Sequence, residues 1–199
     1  MSPKRAPRHK ISRRFGVDVY GTGGESLQRR LNVPPGGLRV RRPRETEYGR
    51  QLKEKQKVRA LYGVREEQFR RYVKAAQGSG EPMGRALLEM LERRLDNVVY
   101  RLGFARTRLM ARQLINHRHV TVDGAPVSIG SFLTSPGEKI ALKEAARAMP
   151  DVEEEMRSRG PTVSWLRRTD GGGEVIDFPH RNEIEVEIDE SLIVAFYSR

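Results

Sequence analysis

Between Asn116 and His119 the apolar residues of this 199-residue chain change period. Upstream, Leu88, Leu91, Leu95, Val98, Val99 and Leu102 keep the three-and-four spacing of a buried helix face. Downstream, His119-Val120-Thr121-Val122 alternates, Asp123-Gly124 supplies a hairpin turn, and Val127-Ser128-Ile129 returns. A pattern of one period does not serve the other element, so the chain must be α+β, with helices leading into a small antiparallel sheet.

The same reading predicts helices over about 46–62, 65–77, 83–102 and 108–116, the last capped by Thr107. Gly78-Ser79-Gly80 reads as a linker. A strand over Lys139–Leu142 follows the Ser135-Pro136-Gly137 turn, and an acidic helical stretch lies near 145–157. Val163–Leu166 and Glu174–Phe178 read as strands of a hairpin turning at Gly171-Gly172-Gly173. Glu183-Ile184-Glu185-Val186-Glu187-Ile188 alternates strictly, which predicts a strand with a glutamate face. Asp189 can cap a last helix carrying Leu192, Ile193, Phe196 and Tyr197.

Charge narrows the function. The formal charge is +12, with 38 Lys and Arg against 26 Asp and Glu. It is uneven: residues 1–150 carry +18 and residues 151–199 carry −6. Arginine outnumbers lysine 30 to 8, and guanidinium forks match phosphate geometry. A nucleic-acid partner fits this better than a genome-wide codon bias, because the cations also cluster. There are no cysteines, which excludes disulfides, thiolate zinc sites and a cysteine nucleophile. No apolar run approaches the roughly 18 residues of a membrane span, and no apolar stretch behind Met1 suggests a secretory leader.

The candidate contacts follow the clusters. Residues 1–14 hold Arg5, Arg8, Lys10, Arg13 and Arg14 without an acid and read as an extended arm ordered only by a polyanion; an organellar transit peptide has a similar composition. Arg39, Arg41, Arg42 and Arg44 make a second basic run after Pro34-Pro35-Gly36-Gly37. In the helix over 46–62, Tyr48, Leu52, Val58, Leu61 and Tyr62 share one broad side. Arg50, Lys53 and Lys57 recur opposite, with Lys55 and Arg59 on the same helix. Arg70 and Arg71 point away from the Phe69, Tyr72, Val73 and Ala76 face of the next helix. Arg108, Arg112, Gln113, Asn116, Arg118 and His119 gather at a helix–strand corner, where cations can follow a curved RNA backbone by shape and phosphates. Tyr48, Tyr62 and Tyr72 could stack on bases, though a partly buried position fits each better. His117 and His119 lack the further ligands of a metal site.

Two long blocks carry a resemblance. YGRQLKEKQKVRALYGVREEQF from Tyr48 and RLDNVVYRLGFARTRLMARQLINHRHVTVDG from Arg94 closely resemble the ribosomal protein S-four family, and SRRFGVD and the terminal LIVAFYSR resemble its beginning and end. The resemblance spans nearly the whole chain. It implies a basic arm over 1–45, a helical domain over 46–90 completed by 178–199, and an inserted RNA-binding domain over 91–177. It also implies a structural, cofactor-free, non-enzymatic protein of the cytoplasmic ribosome's small subunit. Such proteins bind the five-prime domain of small-subunit ribosomal RNA early in assembly, line the mRNA entry side, and touch protein S-five at an interface that influences decoding accuracy. Many bacterial members also repress their own operon. The four zinc-binding cysteines of some members are absent here, and Ala195 replaces a usual acidic residue. The row Glu183, Glu185 and Glu187 is the candidate face toward S-five.

Two rivals remain at this level. The tripeptide Arg94-Leu95-Asp96 resembles the catalytic aspartate motif of pseudouridine synthases, some of which carry a related RNA-binding module. Here it lies in an amphipathic helix, and too little chain follows for a synthase domain, so Asp96 reads as a helix-surface carboxylate paired with an arginine. A heat-shock-type RNA-binding module would lack the N-terminal helical block.

Overall fold

The computed structural model describes residues 7–37, 45–169, 171–184 and 188–198. Among them, ten helices and one five-stranded antiparallel sheet make an α+β fold, as the change of period predicts. The chain divides into two compact units, Met1–Phe69 with Ile188–Arg199, and Arg70–Glu187.

In the first unit, α1 (Arg8–Phe15) and the single turn α2 (Glu25–Gln28) precede the long α3 (Glu47–Leu61). The segment read as an extended arm is therefore helical from Arg8. What orders it is intrachain hydrogen bonding: Arg13 donates from Nε to the Val33 carbonyl at 2.8 Å and from its second amino group to that of Pro34 at 3.1 Å. Thr46 caps α3 by accepting from the Gly49 N–H at 3.1 Å. The C-terminal α10 (Glu190–Tyr197), capped by Asp189, packs on α3. The C-terminal segment thus completes a helical unit begun by the N-terminal part of the chain. α4 (Glu66–Gln77) carries the chain from this unit into the next.

The second unit contains α5 (Met83–Glu92), α6 (Leu95–Arg101), α7 (Arg108–Asn116), the short α8 (Glu144–Arg147) and α9 (Pro150–Ser158). Its strands are β1 (Val120–Val122), β2 (Ala125–Pro126), β3 (Lys139–Leu142), β4 (Leu166–Thr169) and β5 (Gly172–Val175), ordered β2-β1-β3-β5-β4. Leu95, Val98 and Val99 of α6, Leu102 at its C-cap, and Leu114 and Ile115 of α7 bury against Val120, Ile140, Leu142, Trp165 and Val175.

Several expected elements differ. The helix over 83–102 is two helices. Arg94 is extended (ψ 134°), and the first turn of α6 finds acceptors in a distant loop: Leu95 N–H donates to Phe132 at 2.8 Å and Asp96 N–H to Gly130 at 3.1 Å. The leucine spacing hides this break because both halves keep their apolar face inward. The late hairpin is shifted, since Gly172 and Gly173 lie inside β5 rather than in its turn. Both permit close approach: a Cβ on Gly172 would stand 2.6 Å from the Ile140 carbonyl oxygen, and one on Gly173 2.5 Å from a Leu102 methyl. The Val127–Ile129 return is not a strand either, and the alternation read as a strand from Glu183 does not begin as one. β2 ends at Pro126, and Arg181–Glu183 forms a 3-10 turn in which Glu183 accepts from the Ser164 N–H at 3.0 Å. Glu185 and Glu187 lie outside the described residues.

Candidate nucleic-acid interface

α7 begins where Thr107 accepts a hydrogen bond from the Met110 N–H, 3.2 Å away. One face, Ala111, Leu114 and Ile115, is buried, which turns Gln113 and Asn116 outward. The helix ends in a Schellman motif: Arg118 N–H donates to Ile115 at 2.8 Å and His119 N–H to Leu114 at 3.0 Å. Such an ending needs positive φ at its first residue beyond the cap, and Arg118 supplies it at 60°. For a side-chain-bearing residue this costs roughly 1–2 kcal/mol. β1 starts immediately afterwards, so α7, Arg118 and His119 form one corner. The rings of His117 and His119 stack there, 6.1 Å between centroids. They line a cleft of about 450 Å³ with Met110, Met149 and Asp151.

Arg108 and Arg112 are partly buried and tied into the module. Arg108 donates from Nε to the Asn97 side-chain oxygen at 2.7 Å and lies over the Tyr100 ring at 4.5 Å. Asn97 in turn donates to Glu92 at 2.8 Å, and Glu92 is held bidentately by Arg101, both distances 3.1 Å. Arg112 donates from Nε to Asp96 at 2.8 Å, and Arg94 grips the same carboxylate at 3.1 and 2.7 Å. Asp96 is 1% exposed, so it is a buried counter-ion rather than a helix-surface carboxylate; its pairing with arginine is as expected. Burial acts to lower the pKa of Arg94, but the Asp96 charge and hydrogen bonds, with a smaller contribution from Tyr72, raise it overall. Two neighbouring residues of α6, Asp96 and Asn97, therefore set the positions of two arginines on α7.

Sequence reasoning missed this underlying layer, and it missed Lys143. The N–H of Lys143 donates to the His119 carbonyl at 2.9 Å, which brings a further exposed lysine to the corner. The β1–β3 register, Val120 opposite Leu142, is the feature that places it.

The other candidate cations fall elsewhere. Arg8, Lys10 and Arg14 are exposed on α1. On α3, Arg50 pairs with Glu47 at 3.5 Å, Lys53 with Glu45 at 3.4 Å and Lys57 with Glu54 at 2.7 Å. Lys55 turns inward, 5% exposed. It pairs with Glu66 at 2.8 Å and lies 4.4 Å from the centroid of the Phe196 ring. Arg59 meets Glu66 at 2.7 Å. Arg70 and Arg71 are exposed on α4. Tyr62 and Tyr72 are buried, whereas Tyr48 is half exposed. Arg5, Arg39, Arg41, Arg42 and Arg44 lie outside the described residues. Among those described, no helix is long and apolar enough to cross a membrane.

The comparisons agree with this architecture. Residues 4–92 match the ribosomal protein S4/S9 N-terminal domain, and residues 93–140 match the S4 domain. The chain is 46% identical to small ribosomal subunit protein uS4 of Herpetosiphon aurantiacus over 211 residues, covering 100% of both chains. It is 43% identical to the uS4 of Latilactobacillus sakei and 44% to that of Halalkalibacterium halodurans, again over 100% of each. Together, the two family matches and these full-length relatives define a ribosomal protein. The chain belongs to the small ribosomal subunit protein uS4 family, and as such it is a structural, non-enzymatic protein of the ribosome.

Proposed function

We propose that this protein is a constituent of the cytoplasmic small ribosomal subunit that binds the five-prime domain of small-subunit ribosomal RNA and nucleates assembly there. The observation that carries the reading is the arginine pair of α7, each member tethered to α6, beside Arg118, His119 and Lys143. Cations held in fixed places recognise a folded RNA backbone by shape, at a lower entropic cost than flexible ones. The helical domain over 46–90, completed by 178–199, and the inserted RNA-binding domain over 91–177 divide the work, with the arm over 1–45 adding phosphate contacts. Arg39, Arg41, Arg42 and Arg44 grip message at the entry side. The acidic end of the chain, Glu183, Glu185 and Glu187 included, faces protein S-five and contributes to decoding accuracy. Autogenous repression would use the same RNA-binding corner on the protein's own message.

Fractionation tests the reading. The protein should sediment with small subunits after a high-salt wash. Recovery in the ribosome-free supernatant would contradict it.

A further inference from the structure

We infer that the cleft between α7 and α9 is a docking site for a basic segment of another protein of the subunit, with one apolar side chain of that segment seated in the cleft. The inference rests on the reading of the chain as a small-subunit constituent. The cleft holds about 450 Å³, within the roughly 300–1,000 Å³ of ordinary binding clefts. α7 supplies Met110, Leu114 and His117 as one wall, and the start of α9 supplies Met149, Asp151 and Val152 as the other. Leu114 and Val152 are core residues, so the floor is apolar. Met110 and Met149 are partly buried, one on each wall. Unbranched thioethers adapt to a guest of irregular shape, and such residues recur at protein-binding surfaces.

Charge identifies the guest. Among the described residues no Lys or Arg lines the cleft, in a chain that has 38 of them. Helical spacing turns Met110 and His117 about half a turn away from Arg108 and Arg112, so a phosphate backbone held by those arginines runs along the other side of α7. Asp151 is the one carboxylate of the lining, and Glu154 follows it one turn along the same side of α9. Both are exposed, and neither makes an ion pair among the described residues. Asp151 also gains from the α9 dipole, but that benefit fades beyond the first turn and accounts neither for Glu154 nor for the open apolar floor. The two carboxylates repel phosphate and attract Lys or Arg, and the floor beside them takes an aliphatic or aromatic anchor.

Hydroxyl-radical footprinting of the full chain tests this, because oxidation of a side chain follows its exposure. Met110, His117 and Met149 are read in three states: the free chain, its complex with complete small-subunit ribosomal RNA, and the assembled small subunit. Their oxidation should be alike in the first two states and fall about fivefold or more in the third. The double variant Asp151→Lys, Glu154→Lys should lose that protection in assembled subunits. The milder Asp151→Asn, Glu154→Gln, which introduces no like charge, should weaken it. RNA affinity should not fall in either variant. Protection already present in the RNA complex would make nucleic acid the occupant, and concentration-dependent protection in the free chain would make it a second copy; either result overturns the inference. So would full oxidation in the assembled subunit, or protection that survives both charge changes. If the wild-type chain neither bound the RNA nor entered subunits, the ribosomal reading would fall, and the inference with it.

Discussion

Asp96 on α6 receives the guanidinium of Arg112 on α7, with Nε 2.8 Å from its Oδ2, while Arg94 donates to both oxygens of the same carboxylate, at 3.1 and 2.7 Å. The carboxylate is buried and Arg112 is a quarter exposed, so one pair joins the interior of the module to its outer face.

Removing the carboxylate leaves two guanidinium groups without their shared counter-ion. Asp96→Ala should cost about 3–5 kcal/mol of folding stability. Arg112→Ala should cost less, about 1–3 kcal/mol, because Arg94 still neutralises Asp96. Urea unfolding of both variants measures the difference. Equal costs would mean that Arg94 does not share the carboxylate.

The strand glycines give a test of packing alone. Gly172→Ala pushes a methyl group against the Ile140 carbonyl, which the sheet cannot move aside. Gly173→Ala pushes against the end of the flexible Leu102 side chain. Overpacking of this kind costs about 1–3 kcal/mol. Gly172→Ala should be the more damaging of the two, and thermal melts of the pair decide the order.

Lys55 separates structural cations from RNA-binding ones. Lys55→Ala should lose about 1–3 kcal/mol of stability, because the lysine is buried against Glu66 and Phe196. The salt dependence of RNA binding should stay as in wild type. A shallower slope would place Lys55 on phosphate.

The N-cap of α10 gives a pH dependence. Hydrogen bonding from Ser191, with smaller help from backbone N–H groups and Arg50, outweighs desolvation and holds the Asp189 carboxyl below its ordinary value. A carboxylate with a lowered folded-state pKa stabilises the fold above its unfolded-state value, roughly 4, and loses that contribution as pH falls through the folded-state value. Asp189→Ala should therefore be less stable than wild type at neutral pH, and the gap should close in acid. A gap unchanged down to strongly acidic pH would show that the charge plays no part.

What was legible in the sequence was what local chemistry determines. Thr107 and the face Ala111, Leu114 and Ile115 define α7, and the alternation in Lys139–Leu142 defines β3. The break at Arg94 was hidden, because the carbonyl groups that receive the first N–H groups of α6 belong to the Gly130–Phe132 loop, far along the chain. Gly171-Gly172-Gly173 carried a turn signal, but two of the three serve close packing, which composition cannot distinguish from a turn. At the corner, the residues on α7 and just beyond it were readable as a cationic cluster. Their tethers were not: Asp96 and Asn97 lie more than ten residues upstream of the α7 arginines they hold, beyond the reach of helix spacing.

The central claim is that the α7–β1 corner is the RNA interface, and the salt dependence of binding tests it most directly. Affinity of the wild-type protein for the five-prime RNA domain should fall about 10³-fold or more between 50 and 200 mM salt. With Arg108, Arg112 and Arg118 replaced together by Gln, in a variant shown by circular dichroism to remain folded, affinity should drop and the slope should flatten by about three phosphate contacts. A folded triple variant that kept both the wild-type affinity and the wild-type slope would contradict the account.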